Sequence, residues 1–188
     1  VAMLLAACQS SESTSTSHST SEERNTQASE SYTVVDDRGE EIEFDKVPET
    51  VVSLQPSNTE ILFELGVGDK IVGVTDFDTY PEEAQNIERV SDSVNINAER
   101  IIELNPDVVF AYTIGEKESI DPLEEAGIPV FVIQSATSFD DVYEDIEQIA
   151  AVMKVEDVGE KLIEEIQTTV GEIEAKWSTL DEKKNVYY

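Results

Sequence analysis

The chain is poor in the residues that most often carry chemistry. Its 188 residues include one Cys, one His and one Trp. A single Cys excludes a disulfide framework and a Cys-built zinc site. Basic residues are scarce as well: 12 Lys and Arg stand against 42 Asp and Glu, a formal charge of −30. Nucleic-acid binding relies on Lys and Arg displacing counterions from phosphates, so nucleic acid is not expected as a partner. Anionic lipid headgroups repel the chain for the same reason, and any membrane attachment needs something other than a basic patch. No run approaches the roughly 18 apolar residues of a membrane-spanning helix. The glycine patterns that cradle phosphates, G-x-G-x-x-G and G-x-x-x-x-G-K-[ST], are missing too. What is present is 39% hydrophobic residues, enough to bury a core. At about 150 residues per domain, the length predicts one domain plus an appendage.

The appendage is at the start. Val1 to Cys8 is apolar, then small, and ends on the sole Cys. This has the form of a truncated secretory signal, and Leu5-Ala6-Ala7-Cys8 resembles the bacterial lipobox, whose Cys is acylated. Two acyl chains hold a protein to a membrane even when its charge opposes the surface. Residues 9–31 are rich in Ser and Thr and read as a flexible tether. His18 lies inside it with no Cys or second His as a co-ligand. The folded part is expected from Tyr32 onwards. At the other end Asn185 to Tyr188 reads as the beginning of a strand, so the chain is expected to be an N-terminal fragment.

Within the folded part, Tyr32–Val35 and Glu41–Phe44 alternate around a turn at Gly39 and predict a hairpin. Four β-branched runs follow: Val51–Leu54, Ile71–Val74, Val108–Ala111 and Val130–Ile133. Continuous runs of this length suit strands buried on both faces of a parallel sheet. Helical patterns separate them. Ser57 with Glu60 has the spacing of a capping box, and Gly66 ends that helix. Asn97 is placed to cap Ala98–Leu104, and Ser138 to cap a helix running towards Met153. Strands alternating with helices predict an α/β lobe with a parallel sheet over residues 32–155. Val158, Leu162, Ile166, Val170, Ile173, Trp177 and Leu180 recur at three- and four-residue steps. A helix over 156–181 is about 35 Å long at 1.5 Å per residue, more than one small lobe needs. It is expected to be a connector to a second lobe, of which 182–188 is the start.

Ligands of open parallel sheets collect outside the carboxyl ends of the strands. The segments there are Gln55–Asn58, Thr75–Pro81, Tyr112–Thr113 and Gln134–Thr137, made of hydroxyls, amides and aromatics. Asp76 and Asp78 are the only charges among them, and are candidates for paired acid/base work or for hard-metal ligands. Local turn hydrogen bonding is the plainer expectation for loop aspartates. Ser57 has no base to activate it and is expected to serve as a helix cap rather than a nucleophile. Tyr80, before Pro81, is either a core lid or a ligand platform. No enzyme activity, cofactor or bare-metal site is expected. An α/β enzyme using Asp76 and Asp78 is the distant alternative.

Several blocks resemble a known family: Val51–Leu62, Ile71–Asp76, Tyr80–Ala84, Asn97–Val109 and Ala126–Val130, in that order. They are similar to the solute-binding proteins of ABC importers, in the helical-backbone class that binds cobalamin, ferric siderophores and haem. The resemblance implies two α/β lobes joined by a long helix, with the ligand in the cleft between them. It is nearest to the cobalamin-binding branch, through Asn58 after Pro56-Ser57 and through the 75–81 loop. The family's ligand-packing Tyr matches Tyr80, and its aromatic after the third parallel strand matches Tyr112. Where that branch carries a corrinoid-stacking Trp, this chain reads Ser91-Asp92-Ser93-Val94-Asn95. The family's permease-docking glutamate matches Glu99, which is also a first-turn residue that the helix dipole favours. The resemblance thus implies a ligand set of Gln55, Pro56, Ser57, Asn58, Tyr80 and Tyr112, with Cys8 as the lipid anchor. It implies a monomeric extracytoplasmic lipoprotein that delivers a corrinoid-like metal chelate to an ABC permease. A ferric-siderophore or haem receptor is the alternative within the class.

Overall fold

The computed structural model describes residues 31–92, 95–112 and 120–179. Cys8, His18, the tether through residue 30 and the final residues from 180 lie outside the described residues. A short antiparallel hairpin, β1 (Tyr32–Val35) and β2 (Glu41–Phe44), opens the fold. Five strands then form one sheet: β3 (Val51–Ser53), β4 (Ile71–Thr75), β5 (Glu88–Ser91), β6 (Val108–Tyr112) and β7 (Val130–Ile133). All four neighbouring pairs are parallel, in the order β5-β4-β3-β6-β7. The helices are α1 (Pro56–Glu64), α2 (Ala98–Leu104), α3 (Asp121–Glu125), α4 (Phe139–Met153) and α5 (Glu156–Ser178). The fold is α/β, as expected.

The β-branched runs serve two cores at once. Side chains alternate across a strand, so Val51, Val108, Phe110, Phe131 and Ile133 face α1, α4 and α5. Their neighbours Val52, Val109, Ala111, Val130 and Val132 meet Ile101 of α2 and Leu123 of α3 on the other face. Burial on both faces leaves no polar alternation for these strands to show. The edge strand β7 is covered by the hairpin: Asp37 N donates to Val132 O at 3.1 Å, and Val132 N donates to Asp36 Oδ2 at 3.2 Å. Asp36 also accepts Arg38 Nε at 2.7 Å, and Arg38 reaches on to Glu124 at 2.9 Å. An edge treated this way no longer offers a template to another chain.

Two expectations about helix starts come out differently. Ser138 caps α4 with a full capping box, its partner being Asp141, and Asn97 Oδ1 accepts the Arg100 N–H at 3.0 Å at the start of α2. Ser57 caps nothing. The N-cap of α1 is Gln55, because Pro56 occupies the first helical position, where its fixed φ suits a helix start and its missing N–H costs nothing. Ser57 and Glu60 therefore sit one and four residues inside the helix. Gly66 does end α1, at φ +77°, with Val67 N bonded to Leu62 O and Gly66 N to Phe63 O. The edge strand β5 was not legible as a strand.

α5 packs on α4 only through its first turns. Gly159 makes that approach possible, since a Cβ there would lie 2.9 Å from Ala150 Cβ. Gly159 and Ile163 are the buried residues of α5, and from Gln167 to Ser178 all but Val170 are exposed. None of the described helices is long and apolar enough to cross a membrane.

Candidate functional site

The chain enters the sheet at β3, builds outwards to β4 and β5, and then crosses to the other side for β6 and β7. The direction reverses between β3 and β6, and crevices form outside the carboxyl ends of such a strand pair. A cavity of about 410 Å³ opens there between α1 and α4. The turn after β3 supplies Gln55, Ser57 and Asn58, and the end of β6 supplies Tyr112. Gln134 and Ser135 follow β7, Asp145 comes from α4, and Leu162 and Ile166 of α5 close the apolar side.

Four of the residues expected at the site are thus brought together: Gln55, Ser57, Asn58 and Tyr112. Pro56 starts α1 and does not line the cavity. Tyr80 stands elsewhere, on the connection after β4, with 62% of its surface exposed, and Phe77 of the same connection is 61% exposed. Arg89 fixes this loop from β5 by donating to Thr75 O at 2.6 Å and to Asp78 O at 3.0 Å. Glu99 is exposed in the first turn of α2.

Asp76 and Asp78, the candidates for paired acid/base work, lie in opposite environments, one exposed and one buried. Asp78 is fully buried and its Oδ2 accepts from Thr75 N at 2.9 Å and from Thr75 Oγ1 at 2.5 Å. This is the local turn bonding expected of a loop aspartate. Asp76 points to solvent. Among the described residues no cluster of three or more His, Cys, Asp or Glu has the arrangement to hold a metal ion.

Two side chains in the cavity wall lack a hydrogen-bond partner among the described residues, and the polar atoms of Asn58 are shut off from solvent as well. Asn58 is 1% exposed, and neither its Oδ1 nor its Nδ2 has a hydrogen-bond partner. Buried polar groups in folded proteins are nearly always paired, and an unpaired one costs about 1–3 kcal/mol. Asp145 is 7% exposed, and among the described residues nothing donates to its carboxylate. Burial, followed by the charges of Asp37, Asp141 and Glu144, pushes its pKa up to about 6. Its neighbours are better served. Asp37 accepts Gln134 N and Gln148 Nε2, both at 2.6 Å. Asp141 is held below the usual carboxylate range by hydrogen bonds from Thr137 and Ser138. The Tyr112 hydroxyl is hydrogen-bonded to Ser135 Oγ across the cavity mouth.

Asp145 escaped the sequence reading, although a signal was there. It falls three residues after Val142 and four before Ile149, on the inward stripe of α4, where an ionisable residue breaks the apolar pattern. Gln134 and Ser135 were recognised only as part of a strand-end segment.

Residues 51–188 match the periplasmic binding protein family. The chain belongs to that family. It is 39% identical over 160 residues to an uncharacterized ABC transporter substrate-binding lipoprotein, YvrC, of Bacillus subtilis strain 168, covering 82% of this chain and 51% of that one. It is 33% identical over 138 residues to the vitamin B12-binding protein of Vibrio campbellii, covering 73% and 50%. The crystal structure of the heme binding protein HmuT superposes with a TM-score of 0.72 at 27% identity, covering 86% of this chain and 53% of that one. The chain therefore spans about half the length of the curated relatives it matches. The resemblance inferred from the sequence blocks is thereby borne out at the level of the family.

Proposed function

We propose that this chain is the first lobe and connector helix of an extracytoplasmic receptor that captures a metal chelate, a cobalamin-like corrinoid, and hands it to an ABC permease. The observation that carries this reading is the cavity at the β3–β6 reversal, with the orphaned amide of Asn58 in its wall. A buried amide that bonds to nothing in the empty protein is a cost to folding and a resource for binding. The exposed aromatics Phe77 and Tyr80, on the loop after β4, add apolar surface of the kind a macrocycle covers. The vitamin B12-binding relatives favour a corrinoid over other chelates.

Attachment is proposed through Cys8, in keeping with the lipoprotein named among the relatives. Domain limits are proposed at 1–8 for the signal remnant, 9–31 for the tether, 32–155 for the lobe, 156–181 for the connector and 182–188 for the start of the second lobe. Glu99 is proposed as the permease-facing carboxylate.

Equilibrium dialysis of the complete gene product against cyanocobalamin, a ferric hydroxamate and haem tests the reading. One chelate should bind at a 1:1 ratio and be recovered unaltered, and Tyr80→Ala and Tyr112→Ala should each weaken it. Aromatic contacts are worth about 0.5–1.5 kcal/mol beyond their area, a roughly two- to tenfold loss per ring. Failure to bind any of the three, or chemical conversion of one, would overturn it.

A further inference from the structure

We propose that the cavity between α1 and α4 is an arm pocket, which receives an amide-bearing side arm of the bound chelate and rejects a carboxylate in the same place. This rests on the reading above that the strand-end face binds a chelate, and it narrows the class of chelate. Size comes first. A cavity of about 410 Å³ lies at the small end of the roughly 300–1,000 Å³ that drug-sized ligands occupy, so a corrinoid, which is larger than such ligands, enters it by its periphery and not whole. The macrocycle would lie outside, over the mouth where Tyr112 meets Ser135.

Hydrogen-bonding chemistry comes second. Asn58 offers one acceptor and one donor group, both unpaired. A primary amide presents the complementary pair, whereas an ammonium group presents donors alone and a carboxylate acceptors alone. Neither polar atom of Asn58 meets solvent, so an incoming arm pairs with it only as that side chain reorients. Asp145 supplies a second unpaired acceptor within the same wall, ready for an N–H of the arm.

Charge comes third. Among the described residues, the ionisable side chains lining the cavity are Glu60, Glu64 and Asp145 with the hydroxyl of Tyr112, and none of these is basic. A second recess shares Asp145 and Gln134 and adds Asp37, Asp141 and Glu144. A carboxylate placed here would meet like charge and leave both itself and Asp145 without a donor, a mismatch that weighs heavily on affinity. Cobalamin carries primary amides on its periphery, while haem carries two carboxylates, so the pocket distinguishes two ligand chemistries found within the family.

The test compares four probes on the complete gene product by isothermal titration at neutral pH. They are cyanocobalamin, its separated monocarboxylic acids in which one amide is hydrolysed, haem, and ferrioxamine B, an iron chelate with amide groups. Cyanocobalamin should bind, and at least one monocarboxylic acid should bind tenfold or more weakly. Asp145→Asn should shrink that gap severalfold. Equal affinity for cyanocobalamin and every monocarboxylic acid would overturn the arm pocket and leave the corrinoid reading intact. So would a gap that Asp145→Asn does not change. Binding of ferrioxamine B without cyanocobalamin would overturn both the corrinoid reading and the primary-amide pocket, because its pendant ammonium suits the acidic wall without any amide pairing. Haem bound more tightly than cyanocobalamin would overturn both.

Discussion

At the scale of single residues, the Asn58 amide and the Asp145 carboxylate stand in the cavity wall without partners that a ligand would supply, while Asp78 Oδ1 and Gln148 Oε1 are buried and unpaired outside its lining. Asp145 is the clearest case for a test on the empty protein. Its carboxyl keeps its proton up to about pH 6 in the folded state, while an ordinary aspartate releases it near 3.9. The folded state therefore binds the extra proton between those values, and stability falls as the pH rises through that window. Below about pH 4 both states are protonated and the penalty is absent; above about pH 6 it is complete, on the order of 1–3 kcal/mol. Asp145→Asn should raise the melting temperature at pH 7.5 and change it little at pH 4. A shift of equal size at both values would show that Asp145 is not the titrating group. Asp141, one turn earlier on α4, is shifted the other way, because hydrogen bonds from Thr137 and Ser138 favour its charged form.

At the scale of elements, the join between α4 and α5 decides the direction in which α5 leaves the sheet and its helices. The Gly159 Cα sits so close to Ala150 that Gly159→Val must push the helices apart. Overpacking of this kind costs about 1–3 kcal/mol, and because Leu162 and Ile166 line the cavity one and two turns later, the same change should also weaken ligand binding. Chemical denaturation and ligand titration of the variant check both outcomes; a loss of stability with affinity unchanged would mean that the two ends of the contact are independent.

Much of this architecture was readable beforehand. The runs at 51, 71, 108 and 130 are apolar but for Ser53 because two cores claim them; three of them are inner strands, and the fourth, β7, is an edge that the hairpin covers. The strand β5 was missed because Glu88-Arg89-Val90-Ser91 is an edge strand with only its last two residues buried, so it lacks the apolar run that marked the others. The misplaced start of α1 has a similarly local cause, the precedence of Pro56 over Ser57. Around the cavity, Gln55, Ser57, Asn58 and Tyr112 could be placed from the sequence because they belong to the segment after β3 or to the end of β6. Asp145 comes from a helix interior, and only the packing of α4 against the β7 turn carries it to the cavity.

At the scale of the whole molecule, a receptor differs from an enzyme in what it must touch besides its ligand. If Cys8 is the anchor, Cys8→Ala in the complete protein should release it into the medium with ligand affinity unchanged; membrane retention would contradict that role. Glu99 is exposed in the first turn of α2, where a carboxylate suits the helix dipole. A rim carboxylate sets encounter rate and register more than affinity. Glu99→Arg should therefore slow uptake through the permease while folding and ligand affinity stay as they were, and equal uptake by both proteins would leave Glu99 as a helix residue only. The claim on which all of this depends is that the β3–β6 cavity exists to bind. Its most direct measurement pairs two readings on one variant, Asn58→Leu in the complete protein: melting temperature without ligand, and affinity for cyanocobalamin. Removing two buried, unpaired polar atoms should stabilise the empty protein, by about 1 kcal/mol or more, while affinity falls roughly tenfold. A lower melting temperature with affinity unchanged would make Asn58 a structural residue and contradict the account.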